Sequence, residues 1–314
     1  MRRNLIYIVS AVILGAAFTC CTEKTDLRAS GDYKEYVAVD ATLTDRADRP
    51  QKVTLTKTVP YFGDAKDHAD IPVRGATVTV DDGENTVLFS EKDPGVYEAP
   101  EGYFAVEGRN YHLRIENGDD TYEAEALMPE GGFDLYDIDY AWAGDKTMGV
   151  DSLWTIAIWG RDKPQTSFYY VTVAVNDEYY PFDLSDIIDD KYFNGNVVTG
   201  FPITSLMQIH ELQEMYGDCC KYLEKGDVIT LEAMTLQKDY FDYLIAVELN
   251  GTFSSIPLFS PQPSNCPTNI KGKNVVGYFA VCPTCSASVE VDDPYRQYYK
   301  KLIPSLPLYV NFFP

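Results

Sequence analysis

The sequence predicts a mainly β protein, an N-terminal immunoglobulin-like β-sandwich over 34–129 followed by a sheet-rich α+β domain over 133–293. Three observations predict it. Seven short runs of β-branched and aromatic residues alternate with period two between residues 35 and 127. Turn residues divide them, as in Asp81-Asp82-Gly83, Asp93-Pro94-Gly95 and Glu116-Asn117-Gly118. Pro129-Glu130-Gly131-Gly132 then interrupts the pattern with chain breakers, and helical spacing enters only beyond it.

The chain opens on a basic start, Met1-Arg2-Arg3, followed by an apolar run over 5–18. A secretory signal core is ~7–15 residues long, whereas a spanning helix needs about 20. The run ends Ala17-Phe18-Thr19-Cys20-Cys21, a pattern suited to cleavage before a cysteine whose thiol carries diacylglycerol. Residues 1–20 therefore read as a lipoprotein signal peptide. Cys21 is the favoured acylated residue, because it places Phe18 three positions upstream of the thiol, and Cys20 is the alternative. Several acyl chains, at about 0.8 kcal/mol per buried methylene, hold a protein durably on a membrane. Residues 21–33 follow as a polar tether.

The first sandwich draws its strands from 35–43, 51–59, 75–80, 85–89, 96–99, 111–115 and 121–127. Their number and spacing suit an immunoglobulin-like architecture without the Cys…Trp…Cys signature. In the second domain strands are expected at 133–142, 152–159, 168–175, 228–236 and 275–281. Helices are expected at 205–216, on Leu206, Ile209 and Leu212, and at 238–249, on Tyr240, Tyr243, Leu244 and Val247. Residues 177–204 and 252–274 read as irregular inserts. The 294–314 segment is an aromatic, locally basic tail that can add a last strand.

Cleavage leaves 24 basic against 48 acidic residues, a net charge of −24. Such a surface repels nucleic acid and anionic headgroups, so no nucleic-acid partner is expected. Five cysteines remain after acylation, Cys219, Cys220, Cys266, Cys282 and Cys285. In an exported chain they are disulfide candidates, with 219/220 bridged to the 266–285 segment. Cys282-Pro-Thr-Cys285 is also compatible with a redox or zinc half-site.

Three pieces of the first half, Gly75-Ala76-Thr77-Val78-Thr79-Val80, Asp93-Pro94-Gly95-Val96-Tyr97 and Gly108-Arg109-Asn110-Tyr111-His112-Leu113, occur in that order. With the lipoprotein start and the late Gly277-Tyr278-Phe279-Ala280 before Cys282-x-x-Cys285, the chain resembles the lipoproteins grouped as domain of unknown function 4249. The resemblance implies a lipid-anchored outer-membrane protein of Bacteroidota-type bacteria, often encoded beside a TonB-dependent transporter. It implies no catalytic residue. Glu23 and Asp26, interrupted by Lys24, form a weak version of the acidic tract that directs display on the cell surface in such bacteria.

Enzymatic signatures are sparse. His68, His112 and His210 form no helical metal pair, and no G-x-S-x-G, S-x-x-K, P-loop or G-x-G-x-x-G occurs. The sequence thus points to no catalytic residue, metal or cofactor. Calcium is the metal that the turn acids Asp81-Asp82-Gly83-Glu84 and Asp186…Asp190 suit best, although solvated turns account for them more simply. Asp151-Ser152-Leu153 matches a short O-glycosylation acceptor of this bacterial group. Tyr179, Tyr180, Tyr192 and Phe193 lie in an acidic insert and are ligand-contact candidates, since aromatic side chains supply flat amphipathic area, although a buried cap over the second domain accounts for them more simply. The expectation is a non-enzymatic binding or accessory subunit serving a transporter. A secreted hydrolase of glycans or peptides and a structural or adhesive module are the alternatives.

Overall fold

Alternation is the physical origin of the first sandwich. Along β1 (Val37–Thr44) the side chains of Val37, Val39, Ala41 and Leu43 point inward, and those of Ala38, Asp40 and Thr42 point outward. The same rule buries Val53 and Leu55 of β2 (Lys52–Lys57) and Val78 and Val80 of β4 (Thr77–Asp81). It also buries Phe89 of β5 (Thr86–Asp93), Tyr97 of β6 (Val96–Glu98), and Tyr111, Leu113 and Ile115 of β7 (Asn110–Asn117). Tyr122, Ala124 and Ala126 of β8 (Asp120–Leu127) complete this core, while β3 (Ile71–Pro72) only borders β2.

The computed structural model describes residues 34–59, 71–145, 152–179, 186–208, 223–254 and 266–300. The strands and the helix among these described residues belong to one compact unit. The signal peptide, Cys20, Cys21 and the tether lie outside the described residues.

β5 turns the sheet into a sandwich by serving both layers. Its first half pairs with β4, from Val78↔Phe89 to Asp81↔Thr86, and its second half pairs with β6 across an irregularity between Glu91 and Asp93. Gly95 permits the tight β5–β6 turn: its φ is +75°, and a Cβ there would meet the Leu55 carbonyl at 2.6 Å. The Tyr111 hydroxyl accepts a hydrogen bond from the Val106 amide five residues upstream, at 2.6 Å, in the manner of a tyrosine corner.

A later strand returns to this sandwich. β16 (Val275–Cys282) runs parallel to β1, in register from Val37↔Val275 to Thr44↔Cys282. Gly277, at φ +103°, lies so close to Val39 that a Cβ would collide with its carbonyl. The segment before β16 covers the strand edges. Asn269 bonds both the amide and the carbonyl of Phe279, and Lys271 forms a β-bridge with Glu123. Edges covered in this way are poor templates for foreign strands.

The second sandwich packs a three-stranded sheet, β14-β10-β9, against a five-stranded one, β12-β11-β15-β17 with β13 beside β11. The first consists of β9 (Phe133–Asp145), β10 (Ser152–Asp162) and β14 (Val197–Gln208). The second consists of β11 (Phe168–Val175), β12 (Glu178–Tyr179), β13 (Ile187–Asp189), β15 (Val228–Leu236) and β17 (Thr284–Glu290). Ile138, Tyr140, Trp154 and Ile156 meet Val171, Val173, Ile229 and Leu231 between them. One helix, α1 (Lys238–Ser254), packs Tyr240, Phe241, Tyr243 and Leu244 against Phe168, Tyr170, Met234 and the outer face of β16.

The expected irregular insert at 177–204 instead supplies β12, β13 and the first part of β14, and three further expectations change. Ser205 to Gln208 are strand, not helix, because β14 pairs with β10 and carries the β-branched Val197, Val198, Thr199, Ile203 and Thr204. The rest of that expected helix lies outside the described residues. Ser152 is fully buried at the start of β10, where its hydroxyl accepts a 2.9 Å bond from Trp142 Nε1, so it is not an accessible glycan acceptor. Residues 294–300 add no strand but form a strap across β9 and β10. Trp154 Nε1 donates to the Pro294 carbonyl, the Trp142 amide donates to the Arg296 carbonyl, and Tyr299 bonds Thr155.

Candidate functional site

The sequence-derived contact residues separate. Tyr179 ends β12 and is 47% exposed, with the Arg49 guanidinium 5.8 Å from its ring centroid. Tyr192 is 81% exposed beside Lys191. Phe193 is instead a core residue, packed against Phe133, Tyr169 and Phe201, which removes it from any contact surface. Tyr180, Cys219, Cys220, His68 and His210 lie outside the described residues.

The expected disulfides are not formed at Cys282 and Cys285, which stand as free thiols. Each of these thiols is packed among apolar side chains. Cys282 ends β16 and packs with Leu236, Tyr240 and Tyr278, whereas Cys285 near the start of β17 packs into the second sandwich. Burial pushes the Cys282 thiol up to about 12 and that of Cys285 to about 11, so neither is a thiolate at neutral pH. Cys266 has an intermediate exposure.

The turn acids are also engaged. Asp82 accepts bonds from the amides of Glu84 and Asn85 and from Arg109, and Asp81 accepts from Gly83 and Thr86. These bonds occupy the oxygens that a calcium ion would need. Asp190 accepts from the Ser167 amide at 2.6 Å, which fixes a loop. Among the described residues no His, Cys, Asp and Glu cluster has metal-binding geometry.

Two constellations that period-two reading passes over are more informative. The first lies where the sandwiches meet. β16 and β17 are separated by Pro283 alone, so the chain crosses from one sandwich to the other within a single residue. The Pro283 carbonyl accepts from the Thr235 amide, and Asp45 of the β1–β2 turn accepts from the amide and hydroxyl of Thr284 at 3.0 and 2.6 Å. Glu232 of β15, 6% exposed, receives Arg49 as a bidentate partner at 2.9 and 2.5 Å and Arg46 at 3.3 Å. Arg46 also bonds Ser286 and Asp48. Planar guanidinium–carboxylate pairing of this kind fixes geometry as well as charge.

The second constellation is a tyrosine cluster where α1 meets the first sandwich. Across the outer face of the first sandwich Tyr278, Asp40 and Thr54 form one row, with Tyr278 on β16, Asp40 on β1 and Thr54 on β2. Tyr240 and Tyr243 of α1 descend on this row, and the rings of Tyr240, Tyr243 and Tyr278 lie 5.0–6.0 Å apart. The Tyr240 hydroxyl reaches Thr42 at 2.9 Å. Asp40 remains accessible to water, yet protein crowds it closely enough that desolvation raises its carboxyl above the ordinary range.

No curated protein matches the chain. The family described as domain of unknown function DUF4249 matches residues 23–288, most of the 314-residue chain. The chain is therefore a member of the DUF4249 family.

Proposed function

We propose that this protein is a non-enzymatic binding or accessory lipoprotein, held on the outer membrane by acyl chains on Cys21 or Cys20 and displayed at the cell surface. There it serves a TonB-dependent transporter that imports a nutrient. The leader sequence supports the anchor. The observation that carries the reading is the junction: two strands joined by Pro283 alone and the Arg46–Glu232–Arg49 clamp tie two sandwiches into one body. That body turns Tyr179 and Tyr192 outward. A rigid scaffold with exposed aromatic side chains is suited to holding a partner.

A hydrolase reading has less support, because the buried acids Asp139, Asp162, Asp190 and Glu232 are all engaged in bonds that hold the fold together.

The test is affinity capture of the natively expressed protein from detergent-solubilised membranes, with photo-crosslinking from position 192. Recovery of a TonB-dependent barrel is expected. Its repeated absence under native expression contradicts the transporter role, and an unacylated mature chain contradicts the anchor.

A further inference from the structure

We propose that the outer edge of β14 is a strand-accepting site, and that its occupant is the run Leu308-Tyr309-Val310-Asn311-Phe312-Phe313 of the same chain. The proposal stands apart from the transporter role and does not depend on it.

The edge carries the first half of the case. β14 closes the β14-β10-β9 sheet, and among the described residues only β10 pairs with it. Alternate N–H and C=O groups of such a strand point away from its neighbour and require another partner. Charged side chains commonly protect an edge of this kind, yet Val197–Gln208 has none among its 12 residues. The first sandwich treats its edges differently, covering β8 and β16 with Lys271 and Asn269. Pro202 and two register irregularities blunt the early part of β14, but residues 204–208 pair without a break with 152–156 of β10. That stretch offers a regular template.

The strap carries the second half, because it delivers the chain to this place. Tyr299 bonds Thr155 of β10 at 2.9 Å, and Thr155 pairs with Ser205 in the regular part of β14. Neighbouring strands lie about 4.8 Å apart, so a position beyond β14 is about 10 Å from β10. Residues 301–307, at up to about 3.3 Å each, cross that distance with length to spare. They lie outside the described residues, as does the run they lead to. In sequence that run is aromatic and aliphatic except for Asn311, carries no charge, and is bounded by Pro307 and Pro314. Such side chains favour a strand, and proline suits its ends. A tethered segment also outcompetes a second copy. It acts at a millimolar effective concentration, whereas two chains of net charge −22 repel each other.

The experiment is amide hydrogen exchange of the monomeric mature protein, read peptide by peptide by mass spectrometry. Slow exchange in both 308–313 and 204–208 is expected. Val310→Pro removes a donor from the added strand and should abolish the protection of both segments, while β1 and β15 keep theirs. The wild-type readout needs no variant, so a fold lost in Val310→Pro does not remove the test. The proposal is overturned if 308–313 exchanges as fast as an unstructured peptide, or if 204–208 keeps its protection in Val310→Pro with β15 intact. Protection that rises with protein concentration also overturns it, in favour of pairing between copies.

Discussion

Among the described residues the first sandwich buries one polar side chain, Gln51, whereas the second and the junction bury Asp139, Asp162, Asp190, Glu232 and Arg296 among others. Gln51 serves its own turn, accepting from the Thr44 amide and donating to the Arg46 carbonyl. The second set joins segments far apart in the chain. Arg296 of the strap meets Asp139 of β9 at 2.6 Å with both side chains 2% exposed, and Tyr169 donates to Asp162, which also accepts from the Gly195 amide. One sandwich is held by alternation of apolar side chains with neutral hydroxyl and amide bonds to backbone, and its neighbour by buried charged side chains as well. The first mode tolerates substitutions of similar size, and the second requires both partners of each bond.

The largest expected effect falls on the strap. Arg296→Ala leaves Asp139 buried without its charge partner and should cost about 3–5 kcal/mol by denaturant titration. Replacing both residues by apolar ones of similar volume should cost less than that single change. In the first sandwich Leu55→Ala should cost about 2–5 kcal/mol, but there Leu55→Met should recover most of it. A polar rescue of the Leu55 site, or a mild Arg296→Ala, would break the contrast.

Glu232→Gln comes next, at about 1–3 kcal/mol, because it keeps the shape of the clamp and removes its charge. A double-mutant cycle with Arg49→Gln should return a favourable coupling energy that shrinks as salt is added.

A smaller effect depends on pH. Burial raises the Asp162 carboxyl in the folded state. The proton it keeps there adds stability that is fully present below about pH 4 and is lost as pH rises through the folded value. Relative to Asp162→Asn, the wild type should therefore lose ground in Tm between pH 4 and pH 7. A Tm difference that is flat across this window contradicts the assignment.

The smallest expected signal is chemical. Iodoacetamide at pH 8 should leave Cys282 unmodified in the native protein and label it after denaturation.

This contrast also accounts for how far the sequence could be read. Strands such as β1, β7 and β8 alternate cleanly and were expected near their observed bounds, as was α1. β17 was not, because its inward residues are the small Cys285, Ala287 and Val289 and its outward ones include Ser286 and Ser288, which leaves little hydrophobic contrast. The end of β14 resembles a helix in sequence, because Leu206 fits helical spacing as well as a strand and only pairing with β10 decides. The parallel pairing of β16 with β1 is a long-range match that periodicity does not encode. The clamp and the tyrosine cluster were hidden for a related reason. Asp40, Arg46, Arg49 and Glu232 look like ordinary outward or turn residues until two distant strands or a helix come to face them. The aromatic residues of the 177–204 segment fit both a contact surface and a buried cap in sequence, and the structure divides them, with Tyr179 and Tyr192 exposed and Phe193 in the core.

The central physical claim is that these two unlike sandwiches form one cooperative body. Differential scanning calorimetry of the soluble protein tests it most directly. A single transition whose calorimetric and van't Hoff enthalpies agree is predicted for the wild type, with splitting into two in Glu232→Ala. Two separate transitions in the wild type, unchanged by Glu232→Ala, would contradict it.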